Sequence, residues 1–225
     1  MPFEPAPQAD VRSQMGRELR RNAQKTVLDA RQRLTSSTGT RASFDFELLD
    51  EYADSRISSA LVLPGMFVIL ALFASFWVPI PAALGWAGLV AAANSAAVYA
   101  CRRFKRMPPE QFNAARWTAT FISVETVYGV AWAMLALFTL IGHDQQSLDV
   151  VMFAIALVGI AANAVSTRTV PPATLMATLP VALTVAIDLI FVGGTLNTLN
   201  ISLAAVIVGA EIFFVYLARQ LHGSK

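Results

Sequence analysis

The chain has 225 residues, of which 56% are hydrophobic and 14% charged, with a mean hydropathy of +0.55 and a formal charge of +2. That balance lies outside the range of water-soluble domains and is the composition of an integral membrane protein. A single cysteine, Cys101, excludes an intrachain disulfide framework.

The first 56 residues are polar and lack the short apolar core of a cleavable signal. From Val11 to Leu34, apolar residues recur as Val11, Met15, Leu19, Ala23, Val27, Ala30 and Leu34, the spacing of one helical stripe. Eight bases against Glu18 and Asp29 leave Val11–Arg41 at +6. Three readings of this amphipathic helix stand open: it lies on an anionic leaflet, forms a dimer seam, or is simply solvated. After a "TSSTGT" loop, "FDFELLDEYADSR" places five carboxylates ahead of Arg56, as a cytoplasmic extension of the first span. A basic helix followed by an acidic one invites a contact between them, within or between subunits.

Six spans follow, each near the roughly 20 apolar residues that cross a bilayer core. They are expected at 57–78, 82–100, 118–141, 150–167, 173–192 and 201–218, giving an all-α, six-helix membrane bundle with 1–56 before it and the start of a cytoplasmic helix at 219–225. "VPIP" at 78–81 makes a tight hairpin, because proline cannot donate to a helical ladder. Pro64 and Pro180 fall inside spans one and five and are expected to kink them. Spans two and four, rich in Ala, Gly and Ser, are expected to be the inner helices, since small residues let backbones approach in lipid. "HDQQSLD" and "GGTLNTLN" read as polar loops.

Lysine and arginine sort by side. Nine lie before span one, five in the loop after span two, one (Arg168) after span four and two (Arg219, Lys225) in the tail, which accounts for all 17. The other three loops have none, so the positive-inside rule puts both termini of this multi-pass protein in the cytoplasm. Trp77 and Trp86 then belong to an outer aromatic belt and Trp117 to an inner one.

Ionisable groups within lipid are costly and mark function by default. Glu125, Asp188 and Glu211 qualify. Glu125 shares a helical face with Tyr128 and Trp132; Asp188 lies on a stripe with Thr184 and Thr174; Asn163, with Gly159 and Thr167, gives span four a polar line that meets Arg168 at the cytoplasmic side. These residues either fix the packing or form a sensing site. No catalytic residue and no cofactor is expected. Lys25, Lys105 and Lys225 lie outside the spans, so no retinal Schiff base forms; His143 and His222 do too, so no haem is ligated within the membrane. No zinc spacing or phosphate-binding glycine loop occurs. His143, Asp144 and Asp149 form a weak outer-loop candidate for a metal or pH site. No inverted repeat or glycine-rich interruption marks a transporter.

"RQRLTSSTG", "FDFELLDEYADSRISSALVLP", "CRRFKR", "VYGVAWAMLALF" and "STRTVPPA", in this order and spacing, resemble the N-terminal membrane region of alphaproteobacterial sensor histidine kinases of the cell-cycle and differentiation type. The resemblance covers essentially the whole chain. It implies a homodimeric, signal-sensing membrane module that binds no nucleic acid, takes an unidentified ligand, and relays through its last helix to a kinase domain absent from this chain. His222 lacks the phosphoacceptor surroundings and inherits no such role. A similar arrangement occurs in membrane diguanylate cyclases; a small transporter or a structural anchor are the other readings.

Overall fold

The computed structural model describes the backbone at 40–108, 111–167, 169–191 and 197–223, and side chains from Asp45 onward within those ranges except at 218, 219 and 221–223. The chain divides into two units, 1–45 and 46–225; of the first, only the helical backbone at 40–45 and the Asp45 side chain are described. The amphipathic helix expected at Val11–Leu34, Arg168, and the basic residues of the tail lie outside the described residues or side chains.

Every regular element among the described residues is helical: α1 (Thr40–Ser58), α2 (Val62–Ala74), α3 (Ile80–Lys105), α4 (Ala114–Ala133) continued by a 3-10 segment (Met134–Leu140), α5 (Gln145–Thr167), α6 (Pro171–Phe191) and α7 (Thr198–Gly223). Five of these helices are long and apolar enough to cross a membrane, and a sixth crossing is available if α1 and α2 act as one bent span.

That pair departs from the sequence expectation of one continuous span. α1 and α2 are bent by 51° at the turn 59–61, and α2 alone, at 13 residues, is only about 20 Å long. Pro64 explains the position of the break. In a continuous helix its ring would meet the carbonyl of Ala60, four residues back. The chain turns first, and Pro64 then sits in the opening turn of α2, where a missing N–H costs nothing. Pro64 therefore fixes where the chain bends, and if α1 and α2 form one span this is its kink. Ser59 supports the turn, its hydroxyl donating to the Ser55 carbonyl at 3.0 Å. Pro180 does lie inside α6, where the Thr184 hydroxyl donates to its carbonyl at 2.7 Å.

The bundle is organised around α6, which packs against α4, α5 and α7, while α3 lies between α2 and α4. Of the two spans expected to be inner, α3 is half buried, as α6 is, and α5 is the most buried of the long helices, while α6 makes the most extensive helix contacts. Close approach is made at glycines. A Cβ on Gly129 of α4 would come within 2.6 Å of the Met176 carbonyl and 2.8 Å of the Ala177 carbonyl of α6, and one on Gly159 of α5 would strike the Trp132 ring at 2.6 Å. Trp132 is fully buried, with Phe67 and Trp86 edge-on at 5.7 and 5.3 Å. Trp86 is therefore part of the core and does not belong to an interfacial belt.

Two apolar clusters result. The larger runs through the bundle from Phe67 and Tyr128 to Leu148 and Leu189. The smaller joins Leu49, Tyr52 and Ala53 of α1 to Cys101, Phe104 and Phe121, at the end of the bundle where Arg102, Arg103, Lys105, Arg106 and Arg116 gather, here called the basic end.

Candidate functional site: three buried polar layers

The first layer lies where the two apolar clusters meet. Tyr52 and Arg56, four residues apart on α1, present one face; Glu125 and Tyr128, three apart on α4, present the other. Arg56 Nε donates to Glu125 Oε1 at 2.7 Å, Nη2 donates to Oε2, and the Tyr52 hydroxyl also donates to Oε1. The guanidinium carbon stands 4.8 Å from the Tyr128 ring centre, a cation-π contact that is strongest where water is absent. Tyr52, Arg56, Glu125 and Tyr128 all have 0% exposure. Both oxygens of Glu125 are satisfied, whereas Nη1 of Arg56 and the Tyr128 hydroxyl have no hydrogen-bond partner.

Sequence reasoning placed Glu125, Tyr128 and Trp132 on one face, and all three are buried there. It missed Arg56, which it read as a boundary residue ahead of the first span. The available signal was the spacing of Tyr52 and Arg56 beside the turn before Pro64. The contact invited between the acidic α1 and the basic N-terminal helix falls outside the described residues. Two of the α1 carboxylates accept from Lys105 of α3, Asp50 at 2.8 Å and Asp54 at 2.9 Å. The hydrogen bond to Asp50 raises the Lys105 ammonium above its ordinary value, opposed by partial burial and reinforced by Asp54.

The second layer belongs to α5, α6 and α7. The Thr178 hydroxyl donates to Glu211 Oε1 at 2.8 Å, joining α6 to α7. Thr174 donates to the Thr167 carbonyl at 2.9 Å, joining α6 to α5. Asn163 is fully buried beside this line, and neither its Oδ1 nor its Nδ2 has a partner; Glu211 Oε2 has none either. A buried amide without partners is a costly arrangement, and it singles Asn163 out from the packing polar groups around it.

The third layer is at the opposite end from the bases. Thr139 of the 3-10 segment donates to Asp188 Oδ1 at 3.0 Å, and Asn200 of α7 donates to Asp149 Oδ2 at 3.0 Å. Asp149 was expected in an exposed loop with His143 and Asp144. Helix α5 begins at Gln145, however, so Asp149 lies within it at 3% exposure, and Asn200 of the expected "GGTLNTLN" loop is inside α7 and buried. The loop candidate for a metal is dissolved by this: no cluster of three His, Cys, Asp or Glu side chains occurs among the described residues. Oδ1 of Asp149 and Oδ2 of Asp188 are unpartnered.

The three carboxylates of the membrane spans thus occupy separate layers. Glu125 is paired with a cation. Glu211 and Asp188, together with the unforeseen Asp149, each receive one neutral donor. No protein family, curated protein or solved structure matches this chain.

Proposed function

We propose that this bundle is a signal-sensing and dimerising membrane module, of the kind found in sensor histidine kinases, whose last helix relays a change in packing to a cytoplasmic output domain. The observation that carries the proposal is how α7 is held. Only 22% of its most apolar stretch is buried, against 44–56% in the other four long helices. Among the described residues, its only side-chain hydrogen bond to α6 is the one from Thr178 to Glu211.

The exposed face of α7 has a period. Ser202, Val206, Gly209, Phe213 and Tyr216 recur at alternating spacings of four and three, and all are exposed, the seam by which two helices interlock. No atom lies within 4 Å of a Cβ built on Gly209, leaving room for a second backbone. In this reading two copies meet along the seam, and the stimulus favours one of two packings of α7 on α6. A helix carried by a rigid bundle transmits such a shift to its far end, and the stimulus acts only through differential affinity for the two packings.

Single cysteines at Gly209 and Phe213 test it in native membranes, where the only other thiol, Cys101, is buried. Oxidation is expected to give covalent dimers at both, and none with the cysteine at buried Ile207. Glu211→Gln in the parent protein is expected to change basal output or stimulus response. Monomers at every position, or output unchanged by Glu211→Gln, would overturn the proposal.

Transport is the second reading, favoured by the unpartnered oxygens of Asp149, Asp188 and Glu211. Against it, the buried face of α6 from Thr178 to Asp188 carries only apolar residues such as Val181, Ala182 and Val185, about 15 Å of helix without a polar step. Solute or proton flux in proteoliposomes separates the two.

A further inference from the structure

We infer that the basic end carries a binding site for an anionic phospholipid, in the groove between the last turns of α3 and the first turns of α4. The inference is independent of the signalling proposal, since a transporter or an anchor could hold the same lipid; it rests only on the bundle standing in a membrane.

The groove encloses about 870 Å³. Its mouth is lined by Arg103 of α3, Arg106 just past the end of α3 and Arg116 of α4. All three are exposed, and none forms an ion pair among the described residues, where the only ion pairs are those of Arg56 and Lys105. The nearest base in sequence behaves differently: Lys105 faces α1 and is committed to Asp50 and Asp54. Three unpaired guanidiniums at one mouth repel one another, and a phosphodiester is the group whose charge and planar recognition they match.

The deeper wall is apolar. On α3 the lining runs from Arg103 back through Ala100 and Tyr99 to Ala96, and on α4 from Arg116 through Trp117 and Thr120 to Val124. Because the two helices are antiparallel neighbours, Ala96 and Val124 share the end away from the arginines. The seven helical steps from Arg103 to Ala96 span about 10 Å, room for the glycerol and the upper carbons of an acyl chain. Trp117 is fixed in this wall, its indole N–H donating to Met107 Sδ at 3.0 Å, while Tyr99 is 69% exposed, the amphipathic pattern of a membrane interface. A soluble anion would need only the mouth. The apolar wall continuous with the bundle surface is what selects a lipid, as in other basic pockets between membrane helices.

The test uses the full chain purified in detergent. Bound phosphatidylglycerol is counted by native mass spectrometry against phosphatidylcholine at equal mole fraction. One phosphatidylglycerol is expected to be retained preferentially. The pair Arg103→Gln and Arg116→Gln is expected to weaken retention about tenfold or more, while Arg102→Gln, off the groove, leaves it unchanged. Ala96→Trp, which fills the apolar wall without touching a charge, is expected to lower retention as well and covers the case in which the double variant folds poorly. Equal retention of the two lipids, an equal loss with Arg102→Gln, or retention untouched by Ala96→Trp would overturn the proposal. Complete displacement by millimolar inorganic phosphate would also overturn it, leaving a soluble-anion site only.

Discussion

The carboxylate at the basic end and those in the rest of the bundle are buried to similar degrees but held in different ways. Glu125 is enclosed with Arg56, accepts three hydrogen bonds and has both oxygens satisfied. Asp149, Asp188 and Glu211 each accept from one neutral group and leave one oxygen without a partner. The first arrangement locks α1 to α4, since neither charge can leave without stranding the other in a dry site. The others bind helices through a single hydroxyl or amide, worth about 1 kcal/mol each, and can be exchanged at little cost. The weak joints all involve α5, α6, α7 or the 3-10 segment, and under the proposed function these are the contacts that exchange.

The contrast can be broken most directly at Glu125. Glu125→Gln leaves the Arg56 charge buried without its counter-ion, and a loss of about 3–5 kcal/mol is expected, read as the shift in an SDS-titration unfolding curve. The triple change Tyr52→Phe, Arg56→Met and Glu125→Leu removes every polar group of the joint at once and is expected to recover most of that loss. Failure of the triple variant to recover would mean that the ion pair holds α1 through its specific geometry and not merely by the penalty of breaking it.

Asp188→Asn sharpens the comparison at the other end. The amide keeps an oxygen to accept from Thr139, so a change of less than about 1 kcal/mol is expected in the same titration. A loss as large as that of Glu125→Gln would make the two regions equivalent.

The smallest effect belongs to Lys105, the partly exposed partner of Asp50 and Asp54. Lys105→Met is expected to cost about 0.2–1 kcal/mol, and the difference from the unsubstituted chain should fade in about 1 M salt, where the screening length is near 3 Å. Because the ammonium is raised in the folded state, its contribution is present in full at neutral pH and is lost only as pH climbs through the raised value. A difference that survives high salt would assign Lys105 a packing role along its aliphatic stem.

Several features were legible in the sequence because they depend on local composition. Apolar runs of the right length became helices α3 to α7, and the "VPIP" hairpin ends where Pro79 caps α3 and Pro81 sits in its first turn. Glu125, Asp188, Glu211 and Asn163 stood out as polar groups in apolar surroundings and are all buried. Their partners did not stand out. Arg56 and Glu125 are separated by 69 residues and Asp149 and Asn200 by 51, and nothing in either segment alone names the other. Asp149 was further disguised by polar neighbours, Gln145, Gln146 and Ser147, which read as a loop but form the exposed or half-buried start of a helix.

By itself, then, the sequence determined the helical class, the positions of most helices and the crowding of bases at one end, since hydropathy and charge add up residue by residue along the chain. The tertiary structure alone decided which charge is neutralised, which helix is central and which is loosely held. Those depend on where separate segments converge, and here on one local event, the turn before Pro64 that brings α1 and its arginine against the buried glutamate of α4.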